Sequence, residues 1–120
     1  MSYQLVVAMV RTDLTEAVVK AAKQAGATGA TIVPARGTGI HEAKTFFGLS
    51  LEPPRDVILI LLPDELVTPV LAVLQEAGNF AQPGTGIALT LSVGQVIGLE
   101  SQLVHLQSDR VAAPADTVQA

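Results

Sequence analysis

Two apolar runs, residues 4–10 and 57–62, set the rhythm of this chain. Each passes through a polar turn into apolar residues spaced as on a helix. Residues 5–26 and 57–78 superpose without a gap: Leu14 falls on Leu66, Val18 on Val70, Ala22 on Leu74, Ala25 on Ala77 and Gly26 on Gly78. A second β-rich run follows each half, at residues 31–33 and 87–91. The pattern predicts two βαβ units in tandem.

For the first helix, Asp13 with Glu16 three residues on predicts a capping box. Leu14, Ala17, Val18, Ala21, Ala22 and Ala25 then form one apolar stripe at helical spacing. Lys20 and Lys23 lie toward the C-terminal end, where the helix dipole favours cations, and Gly26 can take a left-handed cap. The second helix has two readings of its start. Pro69 suits a first turn, which makes Thr68 the N-cap; otherwise the helix begins at Asp64 with a local distortion. Val70, Leu71, Leu74 and Ala77 supply its buried face, and Gly78 ends it.

A strand with one face in water alternates, and residues 4–10 and 57–62 hardly do. Both faces of the sheet are therefore expected to be covered. Helices can cover one face of a four-stranded sheet, and a second copy of the chain is the economical cover for the other. Burying four extra Val or Leu side chains per subunit contributes about 6–12 kcal/mol before association costs. Composition agrees. The chain has 120 residues, the size of one domain, and is 49% hydrophobic but only 15% charged. That excludes intrinsic disorder and leaves apolar surface best hidden in an oligomer.

The net charge of −4, with 7 dispersed basic residues, excludes a nucleic-acid partner. The absence of cysteine excludes a disulfide scaffold, a thiolate metal site and a cysteine nucleophile. No apolar run approaches the ~20 residues that span a bilayer, and no charged leader precedes the first strand. A cytoplasmic protein with no direct membrane insertion is expected. Residues 1–106 are read as the domain, with 93–99 a short helix or turn and 103–106 a short strand. Residues 107–120 form a polar tail expected to fray.

Candidate chemistry concentrates at two glycine triplets, Gly37-Thr38-Gly39 and Gly84-Thr85-Gly86. Such triplets either make tight turns or let successive N–H groups converge on an anion. Neither is a dinucleotide fingerprint, since Glu42 stands where a third glycine is needed. The connection 34–55 is long enough for a compact domain to suggest function. Within it, Phe46 and Phe47 either pack back onto the protein or anchor a partner. Arg36, Lys44 and Arg55 are the cations near the triplets. His41 and His105 alone do not make a metal set, which needs three or four ligands, and no catalytic triad can be drawn. No metal site and no enzyme activity are expected.

Taken in order, residues 26–39, the tandem βαβ plan and residues 83–99 resemble the PII family of signalling proteins, and more closely its divergent PII-like branch. The resemblance covers residues 3–100. It implies an α+β, ferredoxin-like βαββαβ domain, with a four-stranded antiparallel sheet, two helices on one face, and a homotrimeric assembly. It further implies a regulatory protein of the nitrogen-signalling type, with an adenine nucleotide held in clefts between subunits. The positions matching the family's site are Thr28, Thr31, Arg36, Gly37, Thr38 and Gly39 at the base of the long loop (the T-loop, 34–55), and Gly84, Thr85 and Gly86 in the second turn (the B-loop, 78–86). His41, Lys44, Phe46 and Phe47 are the expected partner-binding residues. By resemblance the partner is a membrane transporter or a regulated enzyme.

The departures from the family shape the expected ligand. The family's phosphate-binding lysine after the second glycine turn is Ile87 here, and its two phosphate-clamping arginines appear as Gly98 and Glu100. A charge-assisted hydrogen bond contributes about 1.5–3 kcal/mol, so tight ATP binding is not expected. AMP, cyclic AMP or ADP fits the reduced charge better. The glutamine that helps hold 2-oxoglutarate and magnesium aligns with His41, and the shortened loop has no tyrosine to modify. Two rival families share the βαββαβ plan. An ACT-type module would bind a small metabolite, and a CutA-like trimer would bind metal through His41 or His105.

Overall fold

The computed structural model describes residues 2–36, 44–46, 49–51 and 54–99, the two short middle segments by their backbone. Gly37, Thr38, Gly39, His41, Phe47, Glu100, the expected 103–106 strand and the tail lie outside the described residues. Strand β1 (Tyr3–Arg11) leads into helix α1 (Thr15–Gln24), then β2 (Thr31–Ala35). Two three-residue strands follow, β3 (Lys44–Phe46) and β4 (Leu49–Leu51). The second unit is β5 (Arg55–Pro63), α2 (Asp64–Ala77) and β6 (Gly86–Val93).

The four long strands form one sheet in the order β2-β5-β1-β6, every neighbouring pair antiparallel. This is the expected ferredoxin-like arrangement: each βαβ unit places its second strand at an edge of the sheet, beside the first strand of the other unit. Pro34 sits on the edge strand β2, where a missing N–H costs no inner ladder bond. The strands β3 and β4 pair separately, Lys44 opposite Leu51 and Phe46 opposite Leu49, so the 34–55 connection contains a hairpin.

Alternation along the strands divides the sheet into two unlike faces. Val6, Ala8 and Val10 of β1 and Ile58, Ile60 and Leu62 of β5 are buried beneath Val18 and Ala22 of α1 and Val67, Val70 and Leu74 of α2. The aligned pairs Val18/Val70 and Ala22/Leu74 from the sequence repeat meet in this core. The opposite face carries Leu5, Val7 and Met9, opposite Leu61, Leu59 and Val57 on one side and Leu91, Leu89 and Ile87 on the other. No helix covers it. Ile87 is 57% exposed and Leu91 53% exposed.

Local chemistry at the helix starts corrects two expectations and decides between two readings of a third. The Asp13–Glu16 capping box does not form: residues Thr12–Leu14 make a 3-10 turn and α1 begins at Thr15 with no side-chain cap. Arg11 takes the Asp13 carboxylate instead, through Nε at 3.1 Å and Nη2 at 2.7 Å. Within α1, Ala17 is exposed while Thr15 is buried on the same face as Val18 and Ala22. Thr15 donates its hydroxyl proton to Asp56 Oδ2 at 2.6 Å, which satisfies a buried carboxylate on β5. For α2, the start at Asp64 is the one adopted, with Pro69 inside the helix and Thr68 not a cap. The Asp64 N–H is received by the Ser2 carbonyl at 3.0 Å, and Asp64 and Glu65 face the positive end of the dipole.

Both helices end in the paired 6→1 and 5→2 hydrogen bonds of a Schellman motif. After α1, the Ala27 N–H reaches the Ala22 carbonyl and the Gly26 N–H that of Lys23, with Gly26 at φ 121°. After α2, the Phe80 N–H reaches Gln75 and the Asn79 N–H reaches Glu76. Here the left-handed residue is Asn79, at φ 57°, one position beyond Gly78. Beyond β6, residues 94–96 are irregular, the chain bends at residues 97 and 98 with Gly98 at φ 88°, and residue 99 is helical.

Candidate functional site

The second glycine turn, residues 78–86, is shaped by two of its own side chains, Phe80 and Thr85, and by Arg55 from the start of β5. Phe80 lies against Gly78 and Gly86: a Cβ at either glycine would press on its ring, at 2.5 Å and 3.0 Å respectively. A Cβ at Gly86 would also overlap the Met9 carbonyl oxygen of the neighbouring strand. Thr85, only 4% exposed, turns its hydroxyl inward, 2.6 Å from the Asn79 carbonyl and 2.9 Å from that of Gln82. Its N–H also donates to Gln82, at 3.3 Å. Arg55 completes the turn from outside, donating from Nη1 to the Thr85 carbonyl at 2.8 Å and from Nη2 to the Gly84 carbonyl at 2.7 Å.

The turn is therefore a preformed, internally satisfied loop in which Gly84 holds a left-handed φ of 84°. The Thr85 side chain is spent on structure. What the turn can present to a ligand is the backbone around Gly84 and Gly86.

The other candidate residues sit elsewhere. Thr28 is exposed in the link after α1, Thr31 opens β2 opposite Leu59, and Arg36 is exposed just past β2. Lys44 and Phe46 are the two ends of β3. β2 and β6 are opposite edges of the sheet, separated by β5 and β1. At the usual strand spacing that is roughly 14 Å. The ladder places Ala35 opposite Arg55, Arg55 opposite Arg11, and Gly86 opposite Val10. The end of β2 and the glycine turn thus share one end of the sheet but not one edge. Within one subunit Thr31 and Gly86 are held on opposite edges of the sheet.

Among the described residues no three His, Asp or Glu side chains gather as metal ligands. No helix among them is long and apolar enough to cross a membrane. Every buried side-chain nitrogen or oxygen among them has a hydrogen-bond partner.

The family model described as nitrogen regulatory protein P-II matches residues 3–102, which takes in the whole four-stranded sheet, both helices and the glycine turn. The chain belongs to the P-II family. Among curated proteins, none matches the chain. P-II proteins are regulatory rather than catalytic, typically homotrimers that act through partner proteins. ACT-type and CutA-like proteins, the two rival readings of the βαββαβ plan, are separate families.

Sequence reasoning placed the glycine turn but missed what shapes it. Arg55 was legible only as a cation near the triplets, and its contacts lie 29 and 30 residues away along the chain. Nothing in the sequence pointed to Phe80 or Asn79.

Proposed function

We propose that this P-II protein is a non-enzymatic, cytoplasmic homotrimer whose open sheet faces pack against one another. Its effector is an adenine nucleotide of low charge (AMP, cyclic AMP or ADP) held between subunits. The glycine turn of one subunit contributes Gly84, Thr85 and Gly86. The β2 edge of the next contributes Thr28, Thr31, Arg36 and the first triplet, Gly37–Gly39. Occupancy of this cleft controls a partner, a membrane transporter or regulated enzyme, engaged through His41, Lys44, Phe46 and Phe47.

One observation carries the reading. The last described residues at the base of the long loop, Ala35 and Arg36, stand at the same end of the sheet as the glycine turn but on the opposite edge, and Thr31 lies further along that edge, opposite Leu59. A neighbouring copy would bring one half of the candidate site to the other. The uncovered apolar face, with Leu5, Val7 and Met9 at its centre, supplies the surface on which copies would meet. An effector that contacts two subunits and favours one arrangement of the cleft biases the population of that arrangement, which is the requirement for a switch.

The test is to add AMP to isotopically labelled protein and follow backbone amide resonances. The reading expects shifts at Thr28, Thr31 and Gly84–Gly86 together, because one ligand touches both edges. Shifts confined to one edge, or to neither, would reject an inter-subunit nucleotide site.

A further inference from the structure

We infer that Arg55 is the positioning residue of the glycine turn, setting the direction of its N–H groups through two peptide planes. The inference deepens the proposed function and rests on it only for what the turn binds.

Arg55 opens β5 and faces the uncovered side of the sheet, since the next residue, Asp56, is buried on the helix side. Its guanidinium reaches past β1 to the segment that leads into β6. There its two terminal nitrogens take two successive carbonyls, Gly84 and Thr85. A planar fork that grips two acceptors fixes angle as well as distance, which a lysine ammonium cannot do.

The consequence follows from peptide planarity. The Gly84 carbonyl shares a rigid plane with the Thr85 N–H, and the Thr85 carbonyl shares one with the Gly86 N–H. In a trans peptide the N–H points opposite to the carbonyl. Holding both carbonyls toward Arg55 therefore aims both N–H groups away from it. Gly84 and Gly86 flank these planes, and glycine resists rotation least of any residue. Without the fork the Gly84 and Thr85 carbonyls lose both charged donors, and the Gly84–Thr85 plane is left with the 3.3 Å bond from the Thr85 N–H to the Gln82 carbonyl. Phe80 packs on Gly86 from the apolar side but contacts no carbonyl of the pair by hydrogen bond, so it cannot replace the fork.

The geometry has a second effect. Arg55 also pairs along the ladder with Ala35 and Arg11. The turn is thereby tied to the end of the sheet where β2 finishes and β5 begins, rather than to β6 alone.

Two variants test this. Arg55→Lys keeps the charge and loses the fork; Arg55→Met loses both. The first readout needs no ligand: hydrogen exchange of the Thr85 and Gly86 amides, compared with Val6 and Ile60 in the sheet core. Both variants should accelerate exchange at residues 85 and 86 by roughly tenfold or more, the loss of one charge-assisted hydrogen bond, and leave the core amides unchanged. The second readout is AMP affinity, which should fall in both variants to a similar degree. Unchanged exchange at residues 85 and 86 in both variants would overturn the inference. So would AMP binding that survives in Arg55→Lys and fails in Arg55→Met, since charge and not position would then matter. A wild type that binds no AMP would refute the nucleotide reading, and the exchange result would still decide the role of Arg55.

Discussion

Leu89→Lys on β6 puts the uncovered face to its sharpest test. Leu89 lies opposite Val7 and is 39% exposed, between Ile87 at 57% and Leu91 at 53%. Covering what remains exposed of these three side chains contributes about 2–5 kcal/mol per subunit at the usual 1.5–3 kcal/mol for full burial. The half-buried residues of β1 and β5 add to this. A lysine at position 89 removes one contributor and asks each subunit to bury an ammonium with no partner, at several kcal/mol per ion. Three copies would exceed the gain from the β6 side chains. Light scattering coupled to size exclusion should therefore give three times the 12.4 kDa subunit mass for the wild type and a single subunit for the variant. Circular dichroism should be unchanged, because Leu89 faces away from the helix-side core. Leu89→Ala, which introduces no charge, should remain assembled. A lysine variant that keeps the wild-type mass would refute packing through this face.

Three further substitutions probe the fold that holds the site. Thr15→Val removes the only hydroxyl seen donating to the buried Asp56 carboxylate and should lower unfolding free energy by about 1.5–3 kcal/mol, read by urea denaturation; Asp56 and Thr15 changed together should cost less than the two separately. Gly86→Ala must push β6 away from the Met9 carbonyl, a backbone atom that cannot swing aside, and should cost about 3 kcal/mol; a loss below about 1 kcal/mol would contradict the close approach. Pro69→Ala, at an exposed position inside α2, restores an N–H to the helix and should stabilise by about 1–3 kcal/mol, and a fall in thermal midpoint would show that the proline is better accommodated than its position suggests.

The features legible in the sequence are those written at a fixed period. The apolar runs gave β1 and β5 to within a residue or two at each end, and the gap-free repeat located both helices and the matched core pairs Val18/Val70 and Ala22/Leu74. What escaped depends on contacts across the chain or on very short range. Arg11 outcompetes the helix N-terminus for Asp13 because an extended residue two positions away can present a fork to the carboxylate. The β3–β4 hairpin has strands of three residues, too short for any alternation to register. At the candidate site, the glycines and their turn were readable, but the inward-facing Thr85 hydroxyl and the Arg55 fork were not. Both are set by which strands lie beside each other, and the order β2-β5-β1-β6 also explains why the site's two halves stand apart in one subunit.

The central claim is that two subunits of this P-II protein together bind an adenine nucleotide whose phosphate charge is low. Calorimetric titration of the purified protein with AMP, cyclic AMP, ADP and ATP, with and without magnesium, tests it most directly. The account predicts binding of AMP, cyclic AMP or ADP near one per subunit, with ATP weaker. Silence from all four, or ATP binding tightest, would contradict it.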